Sequence, residues 1–234
     1  MACVPAVLLC GLPVYASLLT DLSQLPLNHQ VIDLQQFAGT GYFFTDGPQQ
    51  VGPPGDVLFT ATNPDLSVLG DGSYDLGVNG SWGSPITYAA IDFDLLGGDP
   101  YSMTFTFDTL MDGVAALMNY RAPTQSEIND GISYSDVLIE ALDSSNGVLE
   151  SYDITESAPI STPGALNAGA YRGIVRGAAD IQAFRVSNAG AILTNLSFSS
   201  PEFPGITPAP EPSTVFGSAA ALFIASILRF RNRN

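Results

Sequence analysis

The stretch Ser102-Met103-Thr104-Phe105-Thr106-Phe107-Asp108 alternates large apolar residues with small polar ones. That period of two is the signature of a strand with one face in a core. Met103, Phe105 and Phe107 are expected to point inward, and Ser102, Thr104, Thr106 and Asp108 outward. Just upstream, Ile91-Asp92-Phe93-Asp94-Leu95 repeats the alternation, and Gly97-Gly98-Asp99-Pro100 between them is rich in turn residues. The two segments are therefore expected to pair as a hairpin. Further strand candidates cover residues 41–45, 57–62, 114–120, 136–143, 148–154, 181–187 and 191–198. Asp143-Ser144-Ser145-Asn146-Gly147 would link two of these, with Asn-Gly supplying the positive φ a tight turn requires. Many short strands separated by turns predict an all-β domain. The expected form is an antiparallel β-sandwich of jelly-roll type.

Composition agrees. A chain of 234 residues that is 46% hydrophobic and only 13% charged can bury a real core, and its 23 glycines and 17 prolines suit strands and turns better than a helical bundle. Acids outnumber bases 23 to 7, for a net charge of −16, and all seven bases are arginines. Without lysine there is no phosphate-loop lysine, Schiff-base lysine or Ser-Lys dyad. Nucleic acid is excluded as a partner on the same ground, because its binding needs a basic stripe that displaces counterions. Cys3 and Cys10 both lie near the start, and the single histidine, His29 in Leu27-Asn28-His29-Gln30, reads as a surface residue. Arg172, Arg176 and Arg185 are scarce cations in an acidic body and are expected to pair with carboxylates.

The two ends read as addresses. Residues 1–16 are apolar through Leu12 and close on Val14-Tyr15-Ala16, the pattern of a secretory signal peptide cut after Ala16. A basic n-region is missing, and the partial lipobox Leu8-Leu9-Cys10-Gly11 has Leu9 where a small residue is needed. The folded domain is expected to span residues 17–200, followed by a proline-rich linker at 201–214 that holds Pro201, Pro204, Pro208, Pro210 and Pro212. Residues 215–228 form an uncharged run, VFGSAAALFIASIL, and Arg229, Arg231 and Arg233 follow within the last six residues. The run is apolar or small all round, so as a helix it can face lipid in every direction. It rises roughly 24 Å to Phe230, and snorkelling arginines would accommodate the shortfall against a hydrocarbon core of about 30 Å. Residues 215–234 are thus expected to be a C-terminal transmembrane helix with an arginine-rich cytoplasmic end, the acidic body lying on the far side of the membrane.

Pro210-Glu211-Pro212, a short hydrophobic helix and a terminal arginine cluster together resemble the PEP-CTERM sorting signal of Gram-negative bacteria. The resemblance covers about the last 25 residues. It implies recognition at Pro210, Glu211 and Pro212 and removal of the tail by a membrane-embedded exosortase, in a species that also makes exopolysaccharide. It also implies that residues 215–228 hold the substrate in the inner membrane while Arg229, Arg231 and Arg233 fix topology. The body would sit in the periplasm first and pass to the envelope or extracellular matrix after processing. Residues 113–120, 136–154 and 167–174 also resemble the bodies of exported PEP-CTERM proteins of unassigned function, whose sandwich resembles that of carbohydrate-binding modules.

Three features of the body carry candidate chemistry. Asp71, Ser73 and Asp75 present oxygens at alternate positions, as calcium loops do, with Asp65 and Asn79 nearby. A full EF-hand loop fails, because Leu76 replaces the turn glycine and Trp82 stands where a bidentate glutamate belongs. A polar glycine-rich turn accounts for the same residues. Asp92 and Asp94 would lie roughly 6.5–7 Å apart on one strand face, a spacing open to glycoside hydrolysis, to a calcium site or to plain solvation. Trp82, with Tyr74, Tyr88 and Tyr101 near it in sequence, is either a sugar-stacking platform or core. The sequence favours a non-enzymatic exported surface or matrix protein, associated with exopolysaccharide. A carbohydrate-binding module using Trp82 and a carbohydrate-active enzyme using Asp92 and Asp94 are the rivals. No cofactor is expected apart from calcium.

Overall fold

A computed structural model describes residues 16–53, 57–92, 101–188 and 190–201. Their strands are β1 (Ala16–Leu19), β2 (Gln30–Ile32), β3 (Tyr42–Phe44), β4 (Gln49–Val51), β5 (Val57–Ala61), β6 (Ser67–Gly70), β7 (Tyr74–Asp75) and β8 (Ser81–Trp82). They continue with β9 (Tyr88–Ile91), β10 (Ser102–Met111), β11 (Gly113–Tyr120), β12 (Leu138–Leu142), β13 (Val148–Asp153), β14 (Ala170–Arg176), β15 (Ile181–Ser187) and β16 (Ala191–Ser199). Two short helices, α1 (Gln125–Asn129) and α2 (Ile154–Ser157), interrupt them. Among the described residues no helix is long and apolar enough to cross a membrane. The expected span at 215–228 lies outside the described residues, as do residues 202–214 of the proline-rich linker and residues 1–15 of the leader.

Apart from β7 and β8, which pair as a separate two-stranded ribbon, the strands form two antiparallel sheets on one core, so the described body is an all-β sandwich. The larger sheet runs β1-β14-β11-β16-β9-β6-β3, with β2 also paired to β16, and the smaller runs β13-β12-β15-β10-β5-β4. From β9 to β16 the chain alternates between the sheets at every step except β12 to β13, which pair within the smaller one. Phe59, Phe105 and Phe184 of the smaller sheet share the core with Leu69, Met118 and Phe198 of the larger. Phe105 sits opposite both Phe59 and Phe184, and its ring meets that of Phe59 edge-on at 5.5 Å. Burying such a side chain contributes about 1.5–3 kcal/mol.

The strand β10 has the expected facing: Met103, Phe105 and Phe107 are in the core and Asp108 is exposed. Its partner is not as expected. β9 holds only Ile91 of the expected segment 91–95 and lies in the larger sheet, whereas β10 lies in the smaller; Phe93 to Leu95 and the expected turn lie outside the described residues. Alternation reports one buried face, and two strands on opposite sides of a core satisfy it equally well. The turn at Asn146 does form, with φ of 62°, and the Asp143 carboxylate accepts from Ser145 N–H and Gly147 N–H at 2.7 and 2.8 Å. It closes β12 onto β13.

The larger sheet is covered on its outer side too. Val114, Ala116 and Met118 of β11 face the core, while Ala115 packs outward against Leu19 and Leu25. All four residues of β9 are buried for the same reason: Ala89 and Ile91 face the core, and Tyr88 and Ala90 face an outer layer built by the β7–β8 ribbon.

Candidate functional site

The outer layer brings together three of the aromatic residues singled out in the sequence, Tyr74, Trp82 and Tyr88. Tyr74, Leu76 and Trp82 of the β7–β8 ribbon pack down on Val68, Tyr88, Ala90 and Ile192. Polar tips within this layer are all hydrogen-bonded, as buried polar groups must be. Trp82 Nε1 donates to Ala168 O at 2.6 Å, the Tyr74 hydroxyl to Ile91 O at 2.7 Å and the Tyr88 hydroxyl to Gly72 O at 2.6 Å. Trp82 is 0% exposed, so the stacking platform read from sequence is corrected to a core residue: a ring with no accessible face cannot meet a sugar.

The calcium reading is corrected as well. Asp71 Oδ2 accepts Gly39 N–H at 2.8 Å and Oδ1 accepts Gly41 N–H at 2.9 Å, and these two bonds hold its carboxyl below the usual range. Asp75 turns elsewhere, to the Nη1 of Arg121 and to Gly77 N–H. Ser73 between them is exposed. The two carboxylates serve different neighbours instead of one centre, and among the described residues no group of three or more acidic, His or Cys side chains is placed to hold a metal ion.

Asp92 follows the end of β9 and its N–H donates to Leu66 O at 2.6 Å, whereas Asp94 lies outside the described residues. The arginines divide. Arg176 pairs with Glu150 and Asp180, and Arg185 with Glu140, as expected. Arg172 does not pair with a carboxylate among the described residues. Its guanidinium is buried and donates to the carbonyls of Ala158, Tyr171 and Pro159. The sorting residues Pro210, Glu211 and Pro212 and the topology residues Arg229, Arg231 and Arg233 all lie outside the described residues.

One surface feature went unread in the sequence. β3 is the edge of the larger sheet, and its three residues are all aromatic and all exposed: Tyr42 by 46%, Phe43 by 38% and Phe44 by 51%. Tyr42 and Phe44 share the outer side, their ring centroids 6.3 Å apart and their planes tilted by 34°. Phe43 points the other way, toward Phe37 at 6.2 Å. The two backbone bonds from Asp71 fix the loop that delivers β3 to this edge. A Cβ on Gly72 would lie 3.1–3.2 Å from three atoms of the Tyr42 ring, so the ring rests this close to the backbone because residue 72 has no side chain. Partial burial pushes the Tyr42 phenol up, and stronger burial does the same to Tyr88, so both stay neutral hydroxyls. The signal in the sequence was the run Tyr42-Phe43-Phe44 itself: three consecutive aromatics cannot all face one core from a strand.

Compared with models of known protein families and with characterised proteins, the chain matches none.

Proposed function

We propose that the protein is an exported, non-enzymatic surface or matrix protein, delivered by a PEP-CTERM signal and associated with exopolysaccharide. The tripartite tail carries this reading: Pro210-Glu211-Pro212, the uncharged run at 215–228 and Arg229, Arg231 and Arg233, in that order at the end of the chain. Such a tail would hold the precursor in the inner membrane, body in the periplasm, until an exosortase removes it. The body is then released to the envelope or matrix. Strand order supports a jelly-roll reading of that body, since β9-β16-β11-β14 and β10-β15-β12-β13 are the two four-stranded sets that a doubly wound eight-strand roll produces.

The test is mass spectrometry of the mature protein from the producing bacterium. A C-terminus within or just after residues 201–214 is expected. A mature chain intact through Asn234 would overturn the reading.

A further inference from the structure

We propose that the outer side of β3 is a binding platform for a polysaccharide without acidic groups, with the rings of Tyr42 and Phe44 as its two stacking surfaces. The proposal deepens the matrix reading, on which it rests for its setting. Sheet edges are normally blunted by charge, proline or a covering segment, because an exposed apolar edge invites association. Tyr42-Phe43-Phe44 carries neither charge nor proline, and all three residues remain exposed. A side-by-side pair at 6.3 Å with a 34° tilt presents two neighbouring ring faces rather than one closed stack. The negative face of each ring suits the C–H-lined face of a pyranose. Tyr42 is held in place before any ligand arrives, since its ring rests against the backbone at Gly72, whose carbonyl the Tyr88 hydroxyl in turn fixes. Less freedom is then lost on binding.

Other occupants fit less well. Asp71 N–H bonds Gly41 O and Thr45 N–H bonds Ser67 O, both at 3.0 Å, so by antiparallel alternation the Phe43 backbone faces β6. Only Tyr42 and Phe44 turn their backbone groups outward, too short a template for an added strand. A polyanion is repelled by a chain of net charge −16.

Affinity electrophoresis of the full-length chain in neutral detergent tests the proposal, with hydroxyethylcellulose, xyloglucan and glucomannan as probes and alginate as the acidic comparison. Retardation by at least one neutral polymer and not by alginate is expected. Tyr42→Ala and Phe44→Ala should each weaken it about tenfold, the cost of one lost stacking contact. The double variant should run unretarded with an unchanged unfolding temperature, and Phe44→Trp should keep binding. Gly72→Leu, which lifts the Tyr42 ring, should weaken retardation although it removes no aromatic group. Absence of retardation by every neutral polymer, equal retardation of the double variant, or retardation by alginate alone would overturn the platform. So would concentration-dependent self-association that the double variant abolishes. The electrophoresis does not depend on the fate of the tail, so an unprocessed C-terminus would sink the sorting reading and leave the platform standing.

Discussion

Nη2 of Arg121 donates to Oε1 of Glu127 at 2.6 Å, and the same oxygen accepts the Tyr134 hydroxyl at 2.8 Å. The other branch of the guanidinium holds the Asp75 carboxylate, and its Nε donates to Tyr134 at 2.7 Å. One buried cation just beyond β11 thereby ties the β7–β8 ribbon to α1. The ribbon is the roof over Trp82, so this cluster secures the outer layer from one end.

Arg121→Met should accordingly lower stability by about 2–3 kcal/mol, because it strands charged acceptors that the fork had satisfied. The expected readout is a lower urea midpoint with an unchanged slope. Arg121→Lys keeps the charge but not the fork and should recover less than half of the loss. A midpoint equal to that of the natural chain would show that the cluster is idle.

The same cluster makes stability depend on pH. The Arg121 hydrogen bond, followed by Thr124 N–H and the Tyr134 hydroxyl, holds the Glu127 carboxyl at about 2. An unfolded glutamate titrates at about 4.3, so below that pH the unfolded chain takes up a proton that the folded one refuses. This contribution is fully present above about pH 4.3 and is lost as the pH falls toward about 2. Glu127→Gln should be less stable at neutral pH and should lose less between about pH 5 and about pH 2. Parallel urea midpoints across that range would contradict it.

The strands themselves were legible wherever one face meets the core and the other meets water. Met103, Phe105 and Phe107 fall into place on alternation alone. What alternation cannot express is which sheet a strand joins: Ile91 ends β9 in the larger sheet, while β10 lies in the smaller. Nor does it register a second covering layer. Tyr88 and Ala90 are buried by a ribbon whose contacts are non-local, and the same ribbon decides for core at Trp82, where the sequence left platform and core both open. Asp71 and Asp75 look alike in sequence because spacing shows where oxygens recur and not which neighbour each one serves. Gly39 and Gly41 lie thirty or more positions from Asp71, and Arg121 lies 46 from Asp75.

As the only tryptophan in the chain, Trp82 reports on the outer layer by its own fluorescence. A fully buried indole should emit at short wavelength and resist iodide quenching until the protein unfolds. Trp82→Phe should cost about 1 kcal/mol for the lost bond to Ala168 O, and Trp82→Ala about 3–5 kcal/mol with the cavity added. Ready quenching in the native state would place the ring at the surface and revive the sugar-stacking reading of Trp82.

A leader cut after Ala16 would leave Ser17 as the first residue, still inside β1, where Ser17, Leu18 and Leu19 lie opposite Val175, Ile174 and Gly173. N-terminal sequencing of the mature protein should therefore begin at Ser17. Leu19 is buried against Leu25 and Ala115. Leu19→Ala should cost about 2–5 kcal/mol, as cavity-forming changes do, and a loss below about 1 kcal/mol would mean that β1 is dispensable.

Arg172 offers the sharpest distinction between a charge and its geometry. It is 7% exposed on β14, and its Nε, Nη1 and Nη2 reach Ala158 O, Tyr171 O and Pro159 O at 2.7, 2.7 and 3.1 Å. Burial lowers its pKa, since no carboxylate among the described residues repays the desolvation. Removing the guanidinium frees the fold from burying a charge but leaves three carbonyls without their donor, and carbonyls tolerate that better than N–H groups do. Arg172→Met should then lose only about 1–2 kcal/mol, with faster hydrogen exchange around residues 158–160 as the local sign of the missing fork. Arg172→Lys should be worse than Met, because it retains the charge to be desolvated while a single ammonium cannot span carbonyls that the planar fork reaches together. If lysine instead restores stability above methionine, the positive charge and not the fork is what holds residues 158–160 against β14.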